Sequence, residues 1–193
     1  MTESLSPELL TVSDAAAWRA WLDANENTSN GVWVTLAKKG THAPTTLNYA
    51  EALDEALCSG WIDGRKNSID TATYRQHFTP RRARSLWSKR NVELVRLLIE
   101  SGRMRQRGHT EIKRAQSDGR WDRAYDGAAA MTVPGDMVTA LRAHPGAEEA
   151  FLALTSTARY PILLDVTTAH SDEARAARIV RHVRRLIPVR DSS

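Results

Sequence analysis

Between Phe78 and Asn91 a run of cationic side chains surrounds one indole, in the string FTPRRARSLWSKRN. The guanidinium groups of Arg81, Arg82 and Arg84 can grip phosphate or carboxylate through paired donors, and the face of Trp87 can stack on a base or a sugar. Lys89 and Arg90 add charge, and Ser85, Ser88 and Asn91 add neutral hydrogen-bonding groups. With Ser88 capping a helix that begins at Lys89, the unpaired N–H groups of the first turn aim at the same spot, where helix N-termini favour anions. The segment is therefore a candidate anion pocket. Its candidate ligand-binding residues are Trp61, Asp63, Arg81, Arg82, Trp87, Ser88, Lys89 and Asn91. The plainer alternative stays open: Trp87 fills the core, Ser88 only caps, and the arginines are solvated.

Asp63 is the nearest thing to a catalytic side chain. It stands in Trp61-Ile62-Asp63-Gly64, at a strand end beside a glycine, where a carboxylate can act as a base or orient an arginine. A structural ion pair with Arg65, Arg81 or Arg82 competes with that role. Cys58 needs a neighbouring base or cation to become a thiolate, and it sits by an apolar stripe, so it reads as a small core residue. The histidines at 42, 77, 109, 144, 170 and 182 show no metal-ligand spacing. Neither a phosphate-binding loop nor a dinucleotide fingerprint is present, so no metal and no cofactor are expected, and whether the chain is an enzyme stays open.

The charge balance points the same way. The 193 residues carry a formal net charge of +4. Residues 1–60 hold 3 basic and 8 acidic side chains, residues 61–120 hold 15 and 6, and residues 121–193 hold 9 of each. Positive charge concentrated in the middle third fits an acidic partner: an anionic small molecule first, nucleic acid as the alternative. Arg175, Arg178, Arg181, Arg184 and Arg185 on the last helix can also grip a nucleic-acid backbone. The helix dipole already accounts for basic residues toward that end. Apolar runs are too short to span a bilayer. The first residues lack a basic stretch before an apolar one, so a cytoplasmic location is expected.

The elements that must position these groups are legible in outline. Ser13-Asp14 can cap a helix whose Trp18, Trp21 and Leu22 share a face. Val32 to Leu36 reads as a strand after the turn at 25–31. Asn48 with Glu51 forms a capping box for a helix with Leu53, Ala56 and Leu57 inward, closed by Gly60. Residues 61–66 and 73–78 read as two more strands, and Pro80 stops the last. Val92, Val95, Leu98 and Ile99 mark a helix closed by Gly102, and another is expected over 110–117. Beyond the connection at 128–135, helices are expected over 135–143, 147–154 and 171–187. The fold class is α+β: mainly helical, with a small antiparallel sheet of about three strands (32–37, 61–66, 73–78). Two portions are expected, an α+β core over 1–127 and a helical C-terminal portion over 128–193 packed on it. The ends, 1–6 and 190–193, are expected to be mobile.

The strings EALCSGWIDG ending at Gly64, FTPRRARSLWSKRN at 78–91, SGRM at 101–104 and DGRWDRAY at 118–125, with a looser match from Arg159 to Leu186, resemble the YdeI/OmpD-associated (bacteriocin-protection) family of bacterial proteins. The resemblance implies a role in stress and antimicrobial-peptide resistance. It does not supply a protein partner, and the porin contact in the family name is not carried over. Together these readings give an expected function. The chain is a cytoplasmic stress-linked protein that binds a phosphate- or carboxylate-bearing ligand at 79–91. The alternatives are an enzyme on a nucleotide-like substrate with Asp63 as acid or base, and a nucleic-acid-binding module using the basic middle third.

Overall fold

A computed structural model describes residues 9–187; the ends expected to be mobile, 1–6 and 190–193, lie outside the described residues. The chain divides into two compact units. The first comprises residues up to Ser85 together with Asn91–Asp122, and the second comprises Leu86–Arg90 and the chain from Arg123 onward.

The first unit is a small sheet with helices on one face. Its strands are β1 (Leu9–Leu10), β2 (Val32–Ala37), β3 (Trp61–Ser68) and β4 (Thr73–Pro80), in the order β1-β2-β4-β3. The sheet has four strands, not three, and is mixed, because β1 runs parallel to β2. Two residues are too few for any alternating pattern to reveal them. Helix α1 (Ala15–Asn25) starts at Asp14, whose carboxylate accepts the N–H of Ala17 at 2.9 Å. Helix α2 (Tyr49–Cys58) starts with the complete Asn48/Glu51 capping box, a device that stabilises by about 1 kcal/mol. Both lay their apolar faces on the same side of the sheet. Trp18 and Leu22 from α1 and Ala52 and Ala56 from α2 pack with Val32, Val34, Leu36, Trp61 and Phe78. Trp18 stacks on Trp21 at 5.3 Å, and Trp21 meets Trp61 edge-on at 5.9 Å, arrangements worth about 0.5–1.5 kcal/mol each beyond their area.

Helix α3 (Lys89–Glu100) buries Val95 and Leu98. Helix α4 (Gln106–Ser117) begins one turn earlier than its apolar pattern suggests. Its first turn holds Gly108, where a Cβ would stand 2.3 Å from the Cys58 carbonyl. Only glycine permits that approach of α4 to the end of α2.

An ionic network locks this junction. Glu55, 6% exposed, receives Arg103 at 2.8 Å and Arg105 at 2.7 Å, one on each carboxylate oxygen. Arg105 also donates to the Glu55 carbonyl at 3.0 Å and reaches Asp23 of α1 at 2.6 Å, while Arg103 reaches Asp54. Burial alone would raise the Glu55 pKa, but the hydrogen bonds and charges of the two arginines outweigh it and hold the group below its ordinary value.

The second unit is a bundle of α5 (Gly135–Arg142), α6 (Pro145–Ala153), α7 (Ser156–Thr167) and α8 (Asp172–Leu186) around Met137, Leu141, Phe151, Leu163, Val166, Ile179 and Val183. Helix α7 had no sequence forecast. Pro161 lies inside it and removes a backbone donor, so the chain there reads as broken. Burial of Leu163 and Val166 overrides that local cost.

Removing the Glu55 carboxylate leaves Arg103 with Asp54, and Arg105 with Asp23 and a backbone carbonyl, in a partly buried site. Glu55→Ala is therefore expected to lower unfolding free energy by about 1.5–3 kcal/mol in urea titrations. Arg96→Ala, which breaks the exposed, solvent-screened pairs with Glu93 and Glu100 on α3, is expected to cost much less. Equal losses would show that the Glu55 network acts as an ordinary surface pair.

Candidate functional site

The residues of the basic segment do different things. Arg81 is only 4% exposed, and its backbone N–H donates to the Gly60 carbonyl at 3.0 Å, continuing the β3–β4 pairing. Arg82 and Arg84 are exposed. They stand on a turn closed by Ser85, whose hydroxyl accepts from Arg82 N–H at 2.8 Å. The Ser85 carbonyl in turn accepts from Arg120 at 2.7 Å, and Asp118 holds that guanidinium through Nε at 2.9 Å. Leu86–Arg90 group with the second unit. Trp87 is 2% exposed and Ser88 pairs with Tyr125. Lys89 N–H donates to the Tyr125 carbonyl at 2.9 Å, and its ammonium pairs with Asp126 at 2.8 Å. The first N–H of α3 and the Lys89 charge thus have protein partners. Asn91 is buried.

Trp61 has no exposed surface and donates its indole N–H to the Glu26 carbonyl at 3.4 Å. Asp63 is partly exposed and accepts from the Tyr49 hydroxyl at 2.8 Å, so the described partner of this carboxylate is a phenol, not Arg65 or Arg82. Just after it β3 carries a bulge. Asp63 pairs with Phe78 but Lys66 with Gln76, so one extra residue is accommodated between them. Gln76 secures the bulge, since its side-chain N–H group donates to the carbonyls of Gly64 at 2.8 Å and Arg65 at 3.2 Å.

The register brings together side chains that the sequence keeps far apart. Val32, Val34 and Leu36 face the core, so Trp33 and Thr35 face the other side, where they pair with His77 and Arg75. On that outer face the Trp33 ring carries the Arg75 guanidinium at 4.9 Å and the His77 imidazole at 4.9 Å. Trp33 is itself 8% exposed, so it is a bed under two partly exposed planar groups. Glycines flank His77. A Cβ at Gly31 would stand 3.1 Å from its Nε2, and one at Gly64 would stand 3.7 Å from its Nδ1. Gly31 also has φ +143°, a conformation L side chains rarely adopt. Burial lowers the His77 pKa, and the Arg65 charge lowers it further. Neither Arg65 nor Arg75 forms an ion pair among the described residues. The group combines cations without carboxylate partners, a neutral imidazole and an indole, which is the chemistry sought at 79–91. Its signal lay in Trp33 and Thr35 alternating with Val32, Val34 and Leu36, and in Arg75 and His77 alternating with Tyr74, Gln76 and Phe78. The cross-strand pairing needed to join the two patterns was missing.

Other chemistry-bearing groups are occupied by structure. Cys58 is fully buried, and burial, with the Glu55 charge, pushes its pKa up to about 11. On α8, Arg181 and His182 converge on the Asp165 carboxylate, with Arg178 near it, and Arg175 pairs with Asp136. Among the described residues no group of His, Cys, Asp and Glu is placed to hold a metal ion, and no helix is long and apolar enough to cross a membrane.

Because the His77 pKa is lowered in the fold, its contribution to stability is complete above the unfolded value of 6.5 and is lost as pH falls through the folded value. The wild type is expected to lose more thermal stability between neutral and mildly acid pH than His77→Gln does; identical losses would contradict this. Cys58 is expected to resist an aromatic disulfide reagent near pH 8 in the folded protein and to react rapidly in denaturant. Fast reaction of the native protein would show an accessible thiol.

Two family models match the chain. One, described as "Domain of unknown function (DUF8412)", covers residues 10–111. The other, described as "Bacteriocin-protection, YdeI or OmpD-Associated", covers residues 130–186. Of the stretches that carried the sequence resemblance, the tail from Arg159 to Leu186 falls inside the second match. No curated protein matches, and no solved structure matches. The first match spans more than half of the chain. The C-terminal part resembles the bacteriocin-protection, YdeI or OmpD-associated family over residues 130–186, and the chain belongs to the family of the domain of unknown function that covers residues 10–111.

Proposed function

We propose that the protein binds a phosphate-bearing anionic ligand on the outer face of its sheet, through Arg65 and Arg75 beside His77. The single observation that carries this reading is the pair of guanidiniums near the Trp33–His77 contact, with no carboxylate paired to either among the described residues. A guanidinium resting on an aromatic ring keeps its donors fixed in direction, which lowers the entropy lost when an anion binds. The expected cluster at 79–91 supports a smaller part in this reading. Arg82 and Arg84 are exposed on a braced turn, whereas Trp87 is buried and Lys89 is paired. The described partner of Asp63 is the Tyr49 hydroxyl, which supports a structural part for that carboxylate in this reading. The bacteriocin-protection description of the C-terminal match supports a role in defence against toxic peptides.

A thermal-shift titration with inorganic pyrophosphate and nucleoside triphosphates tests the proposal. The midpoint is expected to rise with ligand in the wild type, by mass action on the folded state. It is expected to rise equally in an Arg82→Ala, Arg84→Ala double variant, and to stay flat in an Arg65→Ala, Arg75→Ala double variant. A rise retained in the last variant places the ligand elsewhere. A rise lost only in the first returns the site to the 82–84 turn.

A further inference from the structure

On the outer face of the sheet Arg75 and His77 stand partly exposed over the buried Trp33, with Arg65 and Asn67 exposed on β3. A single small anion at such partly exposed groups keeps most of its hydration and gains few contacts. An extended chain of anions with planar groups gains a little at each unit and adds the gains together. Arg75 and His77 stand two residues apart on β4, so they occupy one face about 7 Å apart along the strand. The pair offers two planar groups, a guanidinium and a neutral imidazole, both partly exposed and both backed by Trp33. The glycines at 31 and 64 keep side chains away from the edges of the imidazole. Asn67, exposed on β3 and paired in register with Arg75, adds an amide that reads hydrogen-bonding edges. The Asp70 carboxylate at the hairpin turn is taken up by the N–H groups of Ala72 and Thr73 and by the Thr73 hydroxyl.

From this charge and ring complementarity we infer that the ligand is a single-stranded nucleic acid. Its bases stack on Arg75 and His77, and its phosphates meet Arg65 and Arg75. The inference rests on the anion-binding reading of the same face and names its ligand. Base stacking is what separates it from simple charge attraction, since every base has a flat face and inorganic phosphate chains have none. Duplex DNA is a poor fit because its bases are stacked on each other and only its backbone is offered.

Fluorescence anisotropy with a labelled ten-nucleotide oligothymidylate tests this, with thymidine monophosphate, inorganic polyphosphate of similar length and a duplex of the same length as competitors. The oligonucleotide is expected to bind at least about tenfold more tightly than the mononucleotide and the duplex, and His77→Ala is expected to weaken it about tenfold, several times more than it weakens polyphosphate binding. Arg75→Ala is expected to reduce the log–log salt slope by about 0.7. Circular dichroism of each variant checks that the fold is kept, and His77→Phe, which retains a ring, is expected to restore binding. Equal affinity for mononucleotide and oligonucleotide would overturn the inference and leave anion binding standing. Equal loss of polyphosphate and oligonucleotide in His77→Ala would also overturn it. Absence of binding by every one of these ligands would remove both readings.

Discussion

Gln76 is buried in an inner strand of a short sheet, and its carboxamide donates to the Gly64 and Arg65 carbonyls at the bulge in β3. By holding both carbonyls, one side chain pins where the extra residue of β3 sits. That choice places Arg65 beside His77 and leaves Gly64 under its ring. The slip of a single residue would send every following side chain of β3 to the opposite face. The outer-face group is thus a consequence of register, and the register is held by a polar contact on the other side of the sheet.

The basic residues of the middle third sort into two populations once the fold is known. Arg103 and Arg105 point inward and hold α1, α2 and the entry to α4 together through Glu55, Asp54 and Asp23. Arg120 braces the 82–85 turn. These charges are spent on architecture and contribute little to an external field, because their carboxylate partners are within hydrogen-bond distance. Arg65, Arg75, Arg82 and Arg84 make no such pairs among the described residues. The positive excess counted in the sequence is real, but part of it is neutralised internally. The string SGRM, which helped carry the family resemblance, contains Arg103 and belongs to the architectural population.

Local signals were readable where local chemistry decides the outcome. The Asn48 capping box, the Asp14 cap, the strand at β2 and the apolar face of α8 all follow from residues a few positions apart. What escaped was decided at long range. Strand β1 exists because Leu9 and Leu10 meet Trp33 and Val34. Helix α7 survives Pro161 because its neighbours bury it. Trp61 and Trp87 looked like candidates for a ligand because their neighbours are charged, and the sequence cannot say which way an indole points. Trp61 turns into an aromatic core, while Trp33, two strands away, does the work of presenting a cation. The same residue type serves both purposes, and only the alternation of faces across paired strands tells them apart.

The two family matches fall on different parts of this chemistry. Trp33, Arg65, Arg75, His77 and the supporting Gln76 all lie within residues 10–111, as does the Glu55 network. The bacteriocin-protection match covers α5 to α8, where Arg178 and Arg181 are held by Asp165 and Arg175 by Asp136, while Arg184 borders a groove of about 170 Å³ lined by Ala140, His144, Val180, Val183 and Ile187. Whatever the second family's name describes, the residues best arranged to recognise a phosphate-bearing ligand belong to the first. If the proposed reading holds, ligand specificity follows variation at the β2–β4 register and is indifferent to changes in the helical bundle that leave that register intact.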